Sequence, residues 1–208
     1  MTDVVKSKIG ILAIQGDFAA HAAMLYSLGA ETFEVRTVTD LNECDALILP
    51  GGESTTQLQF LQEEGLFEAI KKFAADKHPI FGTCAGAILL AATVKNPPQD
   101  SLCLLDMTVL RNAYGRQLAS DVFFGPSTLK SEPMEMVFIR GPIIDQVGPG
   151  VEVLAEYAGK PALVRQGSVL ASTFHPELTG DSTVHQYFLN LVHSNSAQGE
   201  PLAAHSSK

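Results

Sequence analysis

The chain has 208 residues, 46% of them hydrophobic and 18% charged, a size and composition that fit one globular domain and exclude a disordered or fibrous protein. Its 23 acidic against 14 basic side chains leave a formal net charge of -9, which repels phosphate backbones and anionic headgroups, so nucleic acid and membrane are disfavoured as partners. Residues 1–8 lack the apolar stretch of a secretory signal, and the longest apolar run, 85–94, falls short of the ~20 residues that cross a bilayer. Three cysteines at unrelated spacings (Cys44, Cys84, Cys103) give no disulfide framework, so reduced thiols and a cytoplasmic location are expected.

Residues 9–14 form a continuous apolar run suited to a strand buried on both faces. Phe18, Ala22, Leu25 and Leu28 then recur at helical spacing up to Gly29, a helix stop. Further strands are predicted at 32–38 and 46–49, a helix at 55–75, a strand at 79–82 and a helical run at 87–94. This alternation predicts a mostly parallel sheet covered by helices. The second half reads as short strands at 117–124, 136–139, 151–157, 162–165 and 169–174, set off by Gly and Pro, which predicts antiparallel additions to the sheet. A last helix is predicted at 183–192. One domain over 8–194 is expected, with flexible termini at 1–7 and 195–208.

Cys84 stands in Gly82-Thr83-Cys84-Ala85-Gly86, a turn of small residues between a buried strand and a helix. This is a nucleophile-elbow pattern with sulfur in place of oxygen: the glycines permit a tight turn, and the helix N-terminus favours a reactive thiolate. Taken alone, a cysteine is more often a small buried hydrophobe. Cys103, among leucines, is expected to be such a core residue, and Cys44, between Glu43 and Asp45, is disfavoured as a thiolate. A thiolate nucleophile calls for an imidazole. His175 follows the last apolar strand, and Glu177, two residues on, projects to the same side of an extended segment, where it can fix the imidazole's tautomer. His21, His78, His185, His193 and His205 lack this arrangement and are assigned surface, interface or tail roles. No donor spacing suits zinc.

The turn Gly51-Gly52-Glu53-Ser54-Thr55 gathers free backbone N–H groups at a strand end. With the amide of Ala85, that of Gly52 is a candidate for stabilising an oxyanion when Cys84 attacks a carbonyl, although such a turn also serves as an ordinary helix cap.

Gly51 to Thr55, Gly82 to Gly86 and His175-Pro176-Glu177, in this order, resemble a class I (triad) glutamine amidotransferase. More narrowly, Leu12 to Gly16, Arg111 to Gln117, Phe138 to Pro142 and Phe174 to Thr179 resemble the glutaminase subunit of pyridoxal 5'-phosphate synthase, colinearly over residues 8–194. The resemblance implies a flavodoxin-like α/β three-layer sandwich, with Cys84 as nucleophile and His175 and Glu177 as its relay. It implies L-glutamine contacts at Gly52, Glu53, Ser54, Arg111, Ile139 and Arg140, no cofactor and no metal. It also implies a synthase (lyase) subunit that takes the released ammonia within a large hetero-oligomer. Another class I amidotransferase, a γ-glutamyl cysteine hydrolase and a non-catalytic domain of the same fold are the alternatives.

Overall fold

A computed structural model describes residues 7–112 and 120–198. Its main sheet contains β1 (Lys8–Leu12), β2 (Glu31–Val35), β3 (Ala46–Leu49), β4 (Ile80–Thr83), β10 (Glu152–Tyr157), β11 (Lys160–Gln166) and β12 (Val169–Ser172). They lie in the order β10-β11-β12-β4-β3-β1-β2. The strands from β12 to β2 are parallel, and β11 and β10 join β12 antiparallel. Ranked along the chain, the five parallel strands have the spatial order 2-1-3-4-5 of flavodoxin-like folds, which place ligands beyond the strands' carboxyl ends.

The central strand β3, Ala-Leu-Ile-Leu, is apolar and buried at every position because helices cover both faces of the sheet. Ile9, Ile11, Ala46, Ile48 and Phe81 point to one core, shared with α1 (Phe18–Ser27) and α6 (Thr183–Gln198). Leu12, Leu47, Leu49 and Ile80 point to the other, shared with α2 (Val38–Asn42), α3 (Ser54–Glu63), α4 (Leu66–Ala75) and α5 (Ala85–Leu90). The result is a three-layer sandwich. Phe188 of α6 is fully buried against Phe81, their ring centroids 5.6 Å apart, so removing its ring would cost about 3–5 kcal/mol.

Two smaller sheets flank this core among the described residues. One joins β5 (Ala91–Lys95), β6 (Leu105–Leu110) and β9 (Ile143–Val147); the other is the hairpin of β7 (Ser120–Gly125) and β8 (Met134–Ile139). The chain also has no helix long and apolar enough to cross a membrane among the described residues.

Several expected boundaries move. The predicted strand 32–38 stops at Val35 because Thr37 and Asp40 form a reciprocal capping box that starts α2. The predicted helix 55–75 is two helices, broken where Gly65 adopts a left-handed φ of 72°. The helical run expected at 87–94 ends at Leu90; Ala91 turns extended and the β-branched Thr93 and Val94 continue as β5. Helix α6 continues to Gln198 rather than fraying after 194, with the hydroxyls of Ser194 and Ser196 donating to the carbonyls of Asn190 and Val192 at 2.8 and 3.1 Å. Within the predicted strand 117–124, residues 117–119 lie outside the described residues.

Candidate active site

The loops after β1, β3, β4 and β12 meet at the carboxyl edge of the parallel sheet. Together with segments 111–112 and 139–142 they enclose a cavity of about 430 Å3 lined by Gly16, Gly52, Cys84, Arg111 and His175, among others.

Cys84 sits at the bottom of this cavity, immediately after β4 and before α5. Its backbone has φ 48° and ψ -100°, a conformation rarely adopted outside glycine. Two features hold it there. Its N–H donates to the Ser172 carbonyl at 2.8 Å, and its own carbonyl accepts from Ile88 in the first turn of α5. The glycines of the turn are needed because backbones touch. A Cβ on Gly86 would stand 1.9 Å from the Leu49 carbonyl oxygen, and one on Gly82 would stand 2.6 Å from the Gly86 carbonyl carbon. The strained cysteine is therefore clamped between the sheet and a helix that presses directly on β3.

His175 and Glu177 follow β12, with Glu177 in a short 3-10 turn, Pro176–Leu178. The His175 N–H donates to the Val137 carbonyl of the hairpin at 2.8 Å, fixing the backbone, and its Nδ1 lies 2.8 Å from Glu177 Oε1. Both side chains are almost wholly buried. Burial on its own lowers the basicity of His175, but its hydrogen bonds to Cys84 and Glu177 and their negative charges prevail and push its pKa up to about 10. An imidazolium is thus favoured beside the sulfur. Gly51 lies against the pair: a Cβ there would be 2.4 Å from His175 Cε1 and 3.5 Å from Cys84 Cβ.

The residues assigned to glutamine by resemblance converge on the same cavity: Gly52, Glu53, Ser54, Arg111, Ile139 and Arg140 all line it. Glu53, not the following serine or threonine, caps α3, its Oε2 accepting from Thr56 N at 2.8 Å. Burial opposes its charge, while hydrogen bonds from Thr56 and Thr55 keep its pKa below the usual carboxylate value. Ser54 is buried and its hydroxyl donates to Gln99 Oε1 at 3.0 Å. Arg140 is exposed at the rim in a left-handed conformation, φ 46°. Gly52 is on the cavity wall, and Ala85 is buried at the first position of α5, where a backbone N–H has no intrahelical acceptor. Residues 113–117 of the quoted motifs lie outside the described residues.

Three glutamines and two histidines escaped the sequence reading. Gln15 Nε2 donates to the Glu53 carbonyl at 2.8 Å, and the buried Gln57 Nε2 reaches the carbonyls of Pro50 and Gly51, both at 3.2 Å. With Gln99 on Ser54, they hold the Gly51-Gly52 turn from three sides. Glutamines carry no charge pattern or spacing that flags them; Gln15 alone is signalled, by its place at a strand end and within the Leu12 to Gly16 motif, which names no role for it. His21 and His185, assigned to the surface or to interfaces, are fully buried behind the triad, on the inner faces of α1 and α6. Cys103, expected in the core, is exposed: its φ of 54° turns it outward while Leu102 and Leu105 take the buried positions. Cys44 is buried; burial first, then the charge of Asp45, pushes its thiol up to about 12. Donor atoms of Asp17, His175 and Glu177 fall within 4.8 Å of one another, a grouping invisible in the sequence; the His175–Glu177 hydrogen bond already engages two of them.

The description "SNO glutamine amidotransferase family" matches residues 11–194. A pyridoxal 5'-phosphate synthase subunit PdxT of Koribacter versatilis is 54% identical over 190 residues, covering 91% of this chain and 98% of its own. Its counterpart from Thermotoga neapolitana is 47% identical over 186 residues, covering 89% and 99%. Among solved structures, a glutamine amidotransferase superposes with a TM-score of 0.83 at 45% identity over 89% of this chain and 98% of that one. A putative GMP synthase subunit from Thermoplasma acidophilum, 19% identical with a TM-score of 0.66 over 94% and 98%, shares the fold. The elbow cysteine, its hydrogen-bonded histidine and glutamate, and a family match spanning nearly the whole parallel core agree: the chain belongs to the SNO glutamine amidotransferase family.

Proposed function

We propose that the protein hydrolyses L-glutamine to L-glutamate and ammonia through Cys84, His175 and Glu177, and passes the ammonia to the synthase subunit of a pyridoxal 5'-phosphate synthase. The observation that carries this reading is Cys84 held at a strained elbow on the same cavity as His175, an imidazole whose Nδ1 lies 2.8 Å from Glu177 Oε1.

In the proposed cycle the Cys84 thiolate attacks the side-chain amide carbon of glutamine, forming a C–S bond and moving the carbonyl π electrons onto oxygen. The amides of Gly52 and Ala85 receive that oxyanion. The His175 imidazolium donates its proton to the leaving nitrogen as the C–N bond breaks, releasing ammonia and leaving a glutamyl thioester. Neutral His175 then takes a proton from water, whose oxygen attacks the thioester; collapse expels the thiolate and frees glutamate. Glu177 keeps Nδ1 protonated throughout, so Nε2 is the atom that exchanges protons. Arg111 and Arg140 are assigned to the charged end of glutamine, and Glu53, Ser54 and Ile139 to its walls. No step uses a cofactor or a metal.

Ammonia in neutral water is mostly protonated and therefore non-nucleophilic, so a hetero-oligomer that shields the product on its way to the synthase matches the chemistry. PdxT relatives at 47–54% identity, named as synthase subunits, support that partner. The test is a glutaminase assay with and without the cognate synthase, reading glutamate and pyridoxal phosphate. Glutamate release that rises with the synthase and vanishes in Cys84→Ser is expected. Turnover of γ-glutamyl peptides without any partner, in preference to glutamine, would overturn the reading.

A further inference from the structure

Glu177 uses only one oxygen on His175. Its side chain is fully enclosed, and Oε2 makes no hydrogen bond of normal geometry among the described residues. A buried carboxylate oxygen left this way is costly unless a donor stands close. The group facing it is His21 of α1: Nε2 lies 3.5 Å from Glu177 Oε2 and 3.2 Å from the hydroxyl of Thr83, the residue preceding Cys84. On its other side, His21 Nδ1 is 2.9 Å from Nε2 of His185 on α6.

The tautomers of this pair follow from its surroundings. If His21 carried its proton on Nδ1, the bare Nε2 would point a lone pair at a carboxylate, and His185 would be left with a buried Nδ1–H that meets no acceptor. If His21 carries its proton on Nε2, that N–H faces Glu177 and Thr83, Nδ1 accepts from His185 Nε2–H, and the atom left over is a bare His185 Nδ1. His185 Nδ1 is indeed without a hydrogen-bond partner among the described residues. The second arrangement leaves neither ring with an orphaned N–H. Burial, and then the neighbouring His185 and His175, hold His21 neutral; burial does the same to His185. The groups packed around His21 are His185 from α6, Glu177 and His175 from the segment after β12, and Thr83 and Phe81 from β4.

We propose that His21 is a positioning residue of the glutaminase: a neutral second imidazole, its tautomer set by His185, that shares its Nε2–H between Glu177 Oε2 and Thr83 Oγ1. Through Glu177 it sets the angle of the His175 ring, and through Thr83 it ties that ring to the elbow carrying Cys84. It touches no substrate. The proposal rests on the functional reading above, and its test separates the two.

The experiment compares wild type with His21→Leu and His21→Gln in the complex with the synthase. Glutamine places a donor near the position of Nε2, and leucine removes it. Two readouts are taken: steady-state glutaminase kinetics, and the pH dependence of Cys84 alkylation by iodoacetamide, read on the Cys84 peptide by mass spectrometry. His21→Leu is expected to lower kcat by about 10- to 100-fold, as loss of an orienting partner does elsewhere, with the KM for glutamine within about twofold. The alkaline limb of the alkylation profile is expected to move down by about one pH unit, because a misaligned Glu177 supports the imidazolium less. His21→Gln restores most of both. Unchanged kcat and an unmoved limb in His21→Leu overturn the proposal, as does His21→Gln being as impaired as leucine, which would make the role one of packing. A wild-type complex that hydrolyses no glutamine fails the functional reading alone, since the alkylation profile still tests His21. If His21→Leu does not fold, His185→Leu carries the same test with a smaller shift in the same direction, and no shift overturns it.

Discussion

Arg111 and Glu53 form an ion pair across the mouth of the cavity, with Arg111 Nη2 3.3 Å from Glu53 Oε1 and 3.0 Å from Thr55 Oγ1. The Arg111 side chain is only 12% exposed, whereas that of Glu53 is 53% exposed and its carboxylate also caps α3. One carboxylate therefore orients the cation without using all five of its N–H donors. The remaining donors suit the α-carboxylate of an amino acid. Removing them takes away binding that the ground and transition states share, so Arg111→Ala should raise the KM for glutamine by about 10- to 100-fold with a much smaller change in kcat, the range expected for hydrogen bonds to a charged group. Steady-state kinetics with the synthase present check this. A fall in kcat at unchanged KM would assign Arg111 a different role.

Gly51 and Gly86 are both small for steric reasons, yet their substitution should fail differently. A Cβ on Gly51 meets a side chain, His175 Cε1 at 2.4 Å, rather than backbone, so the imidazole must shift at the expense of its alignment with Cys84. Gly51→Ala should therefore keep most of its stability and lose at least about 100-fold in kcat, as mispositioned catalytic groups do. A Cβ on Gly86 meets backbone, the Leu49 carbonyl oxygen at 1.9 Å, so α5 must move off the sheet. Gly86→Ala should unfold more easily by roughly 1–3 kcal/mol or more. Urea titrations alongside activity separate the two outcomes.

What the sequence reveals here is what is local. Cys84, His175 and Glu177 each follow a recognisable strand and sit in turns whose chemistry is written within five residues, so the strand ends alone bring them together. His21 and His185 are 164 residues apart, and their meeting depends on α1 and α6 packing on the same face of the sheet. Nothing in the residues around either histidine encodes that contact. The run from Ala85 to Val94 is ambiguous for another reason: uniform hydrophobicity has no period, and only the β-branched Thr93 and Val94 mark the switch from α5 to β5 at Ala91.

Gly65 illustrates a boundary that glycine decides. The apolar period continues from α3 into α4, but the chain reverses at Gly65 with φ 72°, and only a methyl of Val38 comes as near as 4.0 Å to a Cβ built there. Space is available and the backbone conformation is the sole obstacle. Gly65→Ala should cost about 1 kcal/mol and leave kcat and KM unchanged, since left-handed φ penalises any Cβ by about that amount. A larger loss of stability in urea, or any change in kcat, would show that the α3–α4 junction bears on the site.

The buried histidines also set how stability responds to acid. His185 is held neutral by burial, its pKa lowered to about 4, and His21 is lowered by burial, His185 and His175. Below the unfolded histidine value of about 6.5, the unfolded chain binds protons that these two folded imidazoles refuse, so stability falls as pH falls. Their contribution is complete above about pH 6.5 and is lost from there down towards about pH 4 in the case of His185. His175 has the opposite sign. Its pKa is raised to about 10, so its contribution is complete below about pH 6.5 and is lost as pH rises through the folded value. Together the three make stability peak near pH 6.5 so far as histidines govern it. Urea unfolding between pH 4.5 and 7 measures the acid side as a slope, and each excluded proton contributes about 1.4 kcal/mol per pH unit. His185→Leu removes one such site and should flatten that slope by about this amount, even though the leucine alters packing at every pH. A slope identical to that of wild type would mean that His185 takes up its proton in the folded protein.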